Sequence, residues 1–216
     1  MITLEDVKDN PEVKEIINNI HIQSQNLKHT EHSLRHANVV SNSAGKILQE
    51  LGYDEQKVEF AKIVGYLHDM GNIVNTKEHP QTGAVLAYNI LKDSGIDIKQ
   101  RTEIMCAIGK HEEQTEKILN DISAALIIAD KSDVCRDRVI NKDIEFSDKV
   151  NYAVTNADLL INSKEEKVTL NLTIDEHVCS ILEYFETFVN RAIFCKKAAE
   201  YLKLWFELVI NDTKIL

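Results

Sequence analysis

His68 and Asp69 stand side by side where a helix should stop, after Val64-Gly65-Tyr66-Leu67 and before Met70-Gly71-Asn72. A charge at such a place is costly unless it has a partner. A divalent metal ion suits both side chains, because imidazole and carboxylate are both metal ligands. Further candidates recur along the chain. His36 lies on a preceding helix, His79 precedes Pro80, His111 ends a later helical segment, and Asp130 follows Ala124-Ala125-Leu126-Ile127-Ile128-Ala129. An Asp after six small or apolar residues needs a counter-charge, either a metal or an ion pair with Lys131, Arg136 or Arg138. Four His and two Asp on separate elements favour the metal. Mixed imidazole and carboxylate suits Fe, Mn, Mg or Zn in a catalytic role, and no thiolate joins the set, so structural zinc is not expected.

The elements that must position these residues read mostly as helices. Asp9 or Asn10 can cap a helix that has Pro11 at its first position. Glu31 to Leu51 carries Val40, Ala44, Ile47, Leu48 and Leu51 on one face, and Gly52 stops it. Asp54 caps the helix that leads to His68-Asp69. Pro80 fits the first turn of a helix from Gln81 to Lys92 that closes near Gly95, and Arg101 to His111 forms another. Ile122 to Arg138 is a strongly apolar helix. The period then changes to two. Ala157, Leu159 and Ile161 alternate, as do Val168, Leu170, Leu172 and Ile174, with a hairpin loop from Asn162 to Glu166. Asp175 then caps a C-terminal helical region over about 176–211, rich in aromatics such as Phe185, Phe188 and Trp205. The predicted fold is mainly α: a helical bundle with a metal-binding core at about 30–140, a small β-hairpin at about 157–174, and the C-terminal helix, all in one domain of 216 residues.

Composition narrows the function. With 44% hydrophobic and 28% charged residues the chain reads as an ordinary globular protein, and its 7 Gly and 2 Pro permit long helices. A formal charge of -10 disfavours nucleic acid or an anionic membrane as the main partner. No run approaches the ~18 apolar residues of a membrane span. Met1 to Asp6 lacks the basic and apolar regions of a signal peptide. Cys106, Cys135, Cys179 and Cys195 form no CxxC and read as buried thiols of a helical protein in a reducing cytoplasm.

The order His, His-Asp, His, His, Asp resembles the HD-domain superfamily of metal-dependent phosphohydrolases. The resemblance spans about residues 30–140, and its leading stretch is carried by His36-Ala37-Asn38-Val39-Val40, Leu51-Gly52 and His68-Asp69-Met70-Gly71. His36 to Gly52 is sixteen residues and Gly52 to His68 another sixteen. The resemblance implies that His36, His68, Asp69 and Asp130 bind a first metal, and that Asp69 bridges to a second held by His79 and His111. His79-Pro80-Gln81-Thr82-Gly83 is similar to the His-Pro-x-x-Gly segment of the two-metal branch. The implied activity is hydrolysis of a phosphate ester or anhydride of a small molecule, a nucleotide, by a metal-held hydroxide. Asp69, His111 and Lys131 are the residues expected to serve the chemical step.

Other residues are assigned beside this set. His32 is four residues before His36 on the same helical face, but it stands twenty residues from Gly52, so His36 is preferred as ligand and His32 is expected against the substrate. Lys131 and Arg136 are expected to reach a substrate phosphate, or else to form ion pairs on a helix surface. Asp133 is placed to orient a ligand from behind. Many relatives carry Lys where Asn72 stands, and Glu112-Glu113 replaces a second His and a Gly-Tyr-Pro segment. The cyclic-di-GMP phosphodiesterase branch and a third metal are therefore not expected. The aromatic C-terminal helix reads as a core or homodimer helix. Two other functions fit the residues: an HD-family di-iron oxygenase, and a metal-binding regulatory module without turnover.

Overall fold

Among the described residues the elements up to Ser132 are all helical, and a small sheet follows. A computed structural model describes residues 2–27, 34–112, 117–139 and 146–216. The described elements begin with α1 (Leu4–Asp9), α2 (Pro11–Leu27), α3 (Leu34–Glu50), α4 (Glu55–Leu67), α5 (His79–Ile90), α6 (Ile98–Gly109) and α7 (Asp121–Ser132). They continue with α8 (Phe146–Ala153), β1 (Val154–Asn162), β2 (Lys167–Ile174), α9 (Ile181–Tyr201), β3 (Trp205–Ile210) and β4 (Thr213–Lys214). The fold is thus mainly α, as the sequence predicts. No helix among the described residues is long and apolar enough to cross a membrane.

The helix starts follow the capping rules. Asn10 Oδ1 accepts from the Glu12 and Val13 N–H groups beside Pro11, and Asp54 accepts from Lys57 N–H at the start of α4. Gly52, at φ 78°, turns the chain out of α3. Two other glycines allow close packing instead. A Cβ on Gly65 would lie 2.7 Å from the Ser41 Cα, so α4 packs backbone to backbone on α3. A Cβ on Gly71 would collide with the His79 carbonyl, so the start of α5 is held against the turn after His68. The apolar side chains of α7, from Ile122 to Ala129, are fully buried among α3, α4, α6 and α9.

The C-terminal part differs from the sequence expectation. The hairpin is present as β1 antiparallel to β2, with Leu159 opposite Leu170. It belongs to a four-stranded sheet in the order β1-β2-β3-β4, in which β3 runs parallel to β2 and β4 antiparallel to β3. The expected helix over 176–211 is only α9. Ser180, not Asp175, caps it in a box with Glu183, while Asp175 forms a turn and accepts from the His177 N–H. The chain leaves α9 through Lys203 at φ 62° and becomes a strand. The reason is a period of two: Phe206, Leu208 and Ile210 are buried while Trp205 is exposed. Asn211 and Asp212, both at positive φ, then turn the chain into β4 as a two-residue hairpin requires.

The helix expected over 122–138 also ends early, at Ser132. Asp133 has φ -80° and ψ 71°, outside the helix, and its carboxylate is bonded elsewhere as described below. Cys106 is exposed and Cys135 half-buried, so only Cys179 and Cys195 are buried thiols as expected.

Candidate metal centre

Five separate stretches of chain bring their ends together. His36 lies in the first turns of α3, His68 is the residue that closes α4, and Asp69 follows it at φ -92°, ψ 1°. His79 opens α5, with Pro80 supplying the fixed φ of a first turn. His111 comes just after α6, and Asp130 sits in the last turn of α7. His36, His68, His79, His111 and Asp130 are all buried.

The hydrogen bonds fix which nitrogen of each imidazole faces the cluster. Nδ1 of His68, His79 and His111 lies 2.8, 2.7 and 2.6 Å from the carbonyl oxygens of Gly65, Thr76 and Ile108. A carbonyl oxygen only accepts, so Nδ1 carries the proton in each, and in the neutral ring Nε2 presents a bare lone pair. His36 is held in the same way by a carboxylate, with Nδ1 2.7 Å from Asp133 Oδ2. This is the arrangement found behind metal-binding histidines.

The Nε2 atoms converge on two carboxylates. Asp69 Oδ2 lies 3.5 Å from Nε2 of both His36 and His68, while its Oδ1 lies 3.3 Å from Nε2 of His79. One oxygen of Asp69 therefore faces each half of the cluster. Asp130 Oδ1 is 3.3 Å from His36 Nε2 and 3.6 Å from His68 Nε2. His68 Nε2 is buried and has no hydrogen-bond partner, and the Nε2 atoms of His79 and His111 face each other at 3.0 Å. Two lone pairs at that distance repel unless a cation lies between them. The donor set therefore fits divalent metal ions, in overlapping groups formed by His36, His68 and Asp130, by His68, Asp69 and His111, and by His79, His111 and Glu112.

The electrostatics point the same way. Burial opposes a charge on His68, but Asp69 and Asp130 outweigh it and raise its pKa to about 9. Burial, aided by the neighbouring His68, pushes His111 down to about 3. Asp130 is held well below the usual carboxylate range despite burial, by Lys131, His36 and His68. The Asp130 carboxylate thus stays ionised within the cluster, a charge that attracts cations.

Supporting contacts lie behind these side chains. Arg35 forms a two-pronged pair with Asp133, its Nη1 3.0 Å from Oδ2 and its Nη2 3.1 Å from Oδ1. Arg138 Nη1 donates to the Asp133 carbonyl at 2.8 Å. Although burial opposes it, these contacts and His36 hold the Asp133 carboxyl far below its ordinary pKa. Asn72 Nδ2 donates to Asp69 Oδ1 at 3.1 Å and so holds the carboxylate that faces both halves.

The structure brings together His36, His68, Asp69, His79, His111 and Asp130. Lys131 also joins them, with Nζ 3.0 Å from Asp130 Oδ2 and 2.8 Å from Glu112 Oε1. Arg136 does not. Beyond the end of α7 it stacks on the Tyr152 ring, donates to the Tyr152 carbonyl at 2.7 Å and pairs with Asp175. His32 lies outside the described residues. Two residues of the cluster carry no strong sequence signal, Arg35 and Glu112. The only hint is that each adjoins a candidate ligand in the chain.

The family model of the HD domain matches residues 30–136, a span that includes His36, His68, Asp69, His79, His111 and Asp130. No curated protein matches the chain. Among solved structures, the chain is similar to a predicted HD superfamily hydrolase from an uncultured Thermotogales bacterium. The two are 25% identical, over 62% of this chain and 75% of that one, with a TM-score of 0.46.

Proposed function

The chain belongs to the HD-domain superfamily, and on that premise we propose that it is a metal-dependent phosphohydrolase. Its substrate in this reading is a phosphate ester or anhydride of a small molecule, a nucleotide. The observation that carries the reading is the tautomer lock. Nδ1 of four imidazoles is engaged by oxygen acceptors, so four Nε2 atoms turn inward, those of His36, His68 and His79 toward Asp69 and Asp130 and that of His111 toward His79 and Glu112. A structural role does not call for such a concentration of buried polar groups, whereas a catalytic site does.

Two divalent ions bound here would supply Lewis acidity toward a phosphoryl oxygen and would acidify water for attack at neutral pH. The chain's own residues do the rest. Asp69, with one oxygen toward each half, sets the spacing of the two positions. Asn72 keeps it from rotating. Lys131, buried between Asp130 and Glu112, is the cation beside the cluster whose ammonium could pair with a phosphate oxygen of the substrate.

The test is hydrolysis by protein purified without chelator and loaded with Mn, Fe, Mg or Zn. The panel comprises mononucleotides, cyclic nucleotides, dinucleoside polyphosphates and simple phosphomonoesters. Protein that binds no divalent ion would sink the reading, as would a loaded protein inert on the whole panel. One group, His79, His111 and Glu112, has the two-imidazole, one-carboxylate composition of non-haem iron oxygenases. A hydrolase works anaerobically, whereas an oxygenase consumes oxygen, so the same panel without air separates the two.

A further inference from the structure

We propose that Glu112 is a protein ligand of the second metal position, completing it alongside His79, His111 and Asp69; this rests on the metal-dependent reading above. Three observations lead there. The first is distance. Glu112 Oε1 lies 3.8 Å from Nε2 of His79 and 3.7 Å from Nε2 of His111, and those two nitrogens are 3.0 Å apart. Two donor atoms each ~2.1 Å from one ion stand about 3.0 Å apart at a right angle and about 3.4 Å apart at the tetrahedral angle. The three atoms are thus within a few tenths of an ångström of the spacing that a single cation imposes.

The second observation is how Glu112 is held. It follows the fully buried His111 just beyond the end of α6, and its side chain is 34% exposed, so it lies at the rim. The buried Lys131 ammonium pins Oε1 at 2.8 Å. An ordinary rim carboxylate would sample solvent, whereas this one is anchored against two imidazoles.

The third is the difference between the two halves of the cluster. The half built from His36, His68 and Asp130 has a buried carboxylate of its own. The half built from His79 and His111 shares Asp69 with the first and has no other carboxylate within reach among the described residues except Glu112. With Glu112 it gains two imidazoles and two carboxylates, a donor set suited to Mn, Fe, Mg or Zn. Lys131 then links the two halves, with its ammonium between Asp130 and Glu112.

The test uses Mn²⁺ as the probe on the full chain, with bound metal counted by equilibrium dialysis and spin coupling followed by electron paramagnetic resonance. Wild type is expected to bind two ions and give the signature of a coupled pair. Glu112→Gln keeps the shape and loses the charge. It is expected to retain one ion, to weaken the second by about tenfold or more, and to lose the coupled signal at matched metal. Unchanged melting of the metal-stripped variant shows that it folds, and Glu112→Asp, with a shortened carboxylate, should fall between. If Glu112 only neutralises Lys131, the double variant Lys131→Met/Glu112→Gln will recover the second ion, and that recovery overturns the assignment. So does a Glu112→Gln titration that matches wild type, or a wild type that binds a single ion. A wild type that binds no Mn²⁺ overturns the metal-dependent reading itself, which separates the two failures.

Discussion

The helical part up to Arg138 and the part from Phe146 onward bury different things. In the first, His36, His68, His79, His111, Asp130, Lys131, Asp133 and Arg138 are all buried. In the second, Asn151 is the one buried polar side chain among the described residues. Its charges sit outside in pairs such as Lys149–Glu183 and Lys167–Glu207. Both parts need a core, and the second shows that this chain builds one from apolar residues with no buried charge among the described residues. Removing ionised groups from water costs several kcal/mol each unless the geometry repays it. The charge buried in the first part is therefore not a requirement of folding, and its concentration around four presented Nε2 atoms marks a site.

The largest expected break in that contrast is His68→Ala. His68 belongs to two of the three candidate groups, so its loss removes a donor from the half it shares with His36 and Asp130 and from the group it forms with Asp69 and His111 between the halves. Turnover should fall about a thousandfold or more, the ~4 kcal/mol that a metal's Lewis acidity can supply. Metal content should fall with it, while the fold by circular dichroism stays intact. A variant with full metal and full activity would remove His68 from the centre. Phe194→Ala is the counterpart in the second part. Phe194 is buried on α9, which packs against α7. Its truncation should cost about 3–5 kcal/mol of stability and about 10 °C in Tm. Activity per folded molecule should stay within about twofold. A large loss of kcat at a temperature where the variant is fully folded would mean that the two parts are not divided as argued.

The same division explains what the sequence made legible. That His36, His68, Asp69, His79, His111 and Asp130 come together could be anticipated because each stands at an element end or in an apolar run, where its type is out of place. The helices could be read because their caps and glycines are local signals. β3 was not recognised, although Leu202, Leu204, Phe206, Leu208 and Ile210 alternate strictly, because the run continues an aromatic helix without a Gly or Pro between. Its partner β2 is more than 30 residues away, so the pairing is not a local property. Arg136 was placed on α7 by extending the apolar period through Asp133, where a tertiary contact ends the helix. Glu112 and Arg35 act through contacts that only the assembled bundle creates.

Asp133→Asn tests a smaller effect within the helical part. The carboxylate accepts from His36 Nδ1 and from Arg35, and it orients the ligand without facing the metal positions itself. The amide keeps the shape but weakens both bonds. Metal affinity and activity should fall about 10–100-fold, the range for partners behind a metal ligand. Because the change acts through His36, the ion held by His36, His68 and Asp130 should weaken more than the one held by His79 and His111. Equal weakening of both would show that Asp133 acts on the whole bundle and not on one ring.

The smallest effect is expected at Glu183→Gln, in the second part. Lys149 and the Ser180 cap lower the Glu183 pKa to about 2. Gln can still accept from the Ser180 N–H and complete the capping box, so only the charge is lost. A lowered folded pKa gives stability that is fully present above the ordinary value of 4.5 and is lost as pH falls through about 2. Wild type should therefore melt roughly 1–2 °C above the variant at neutral pH, the gap closing between pH 4.5 and 2 and narrowing with added salt. Turnover should not change at all. A gap as wide as that of Phe194→Ala, or one that persists below pH 2, would mean that this charge is not the exposed, screened kind that the contrast between the two parts requires.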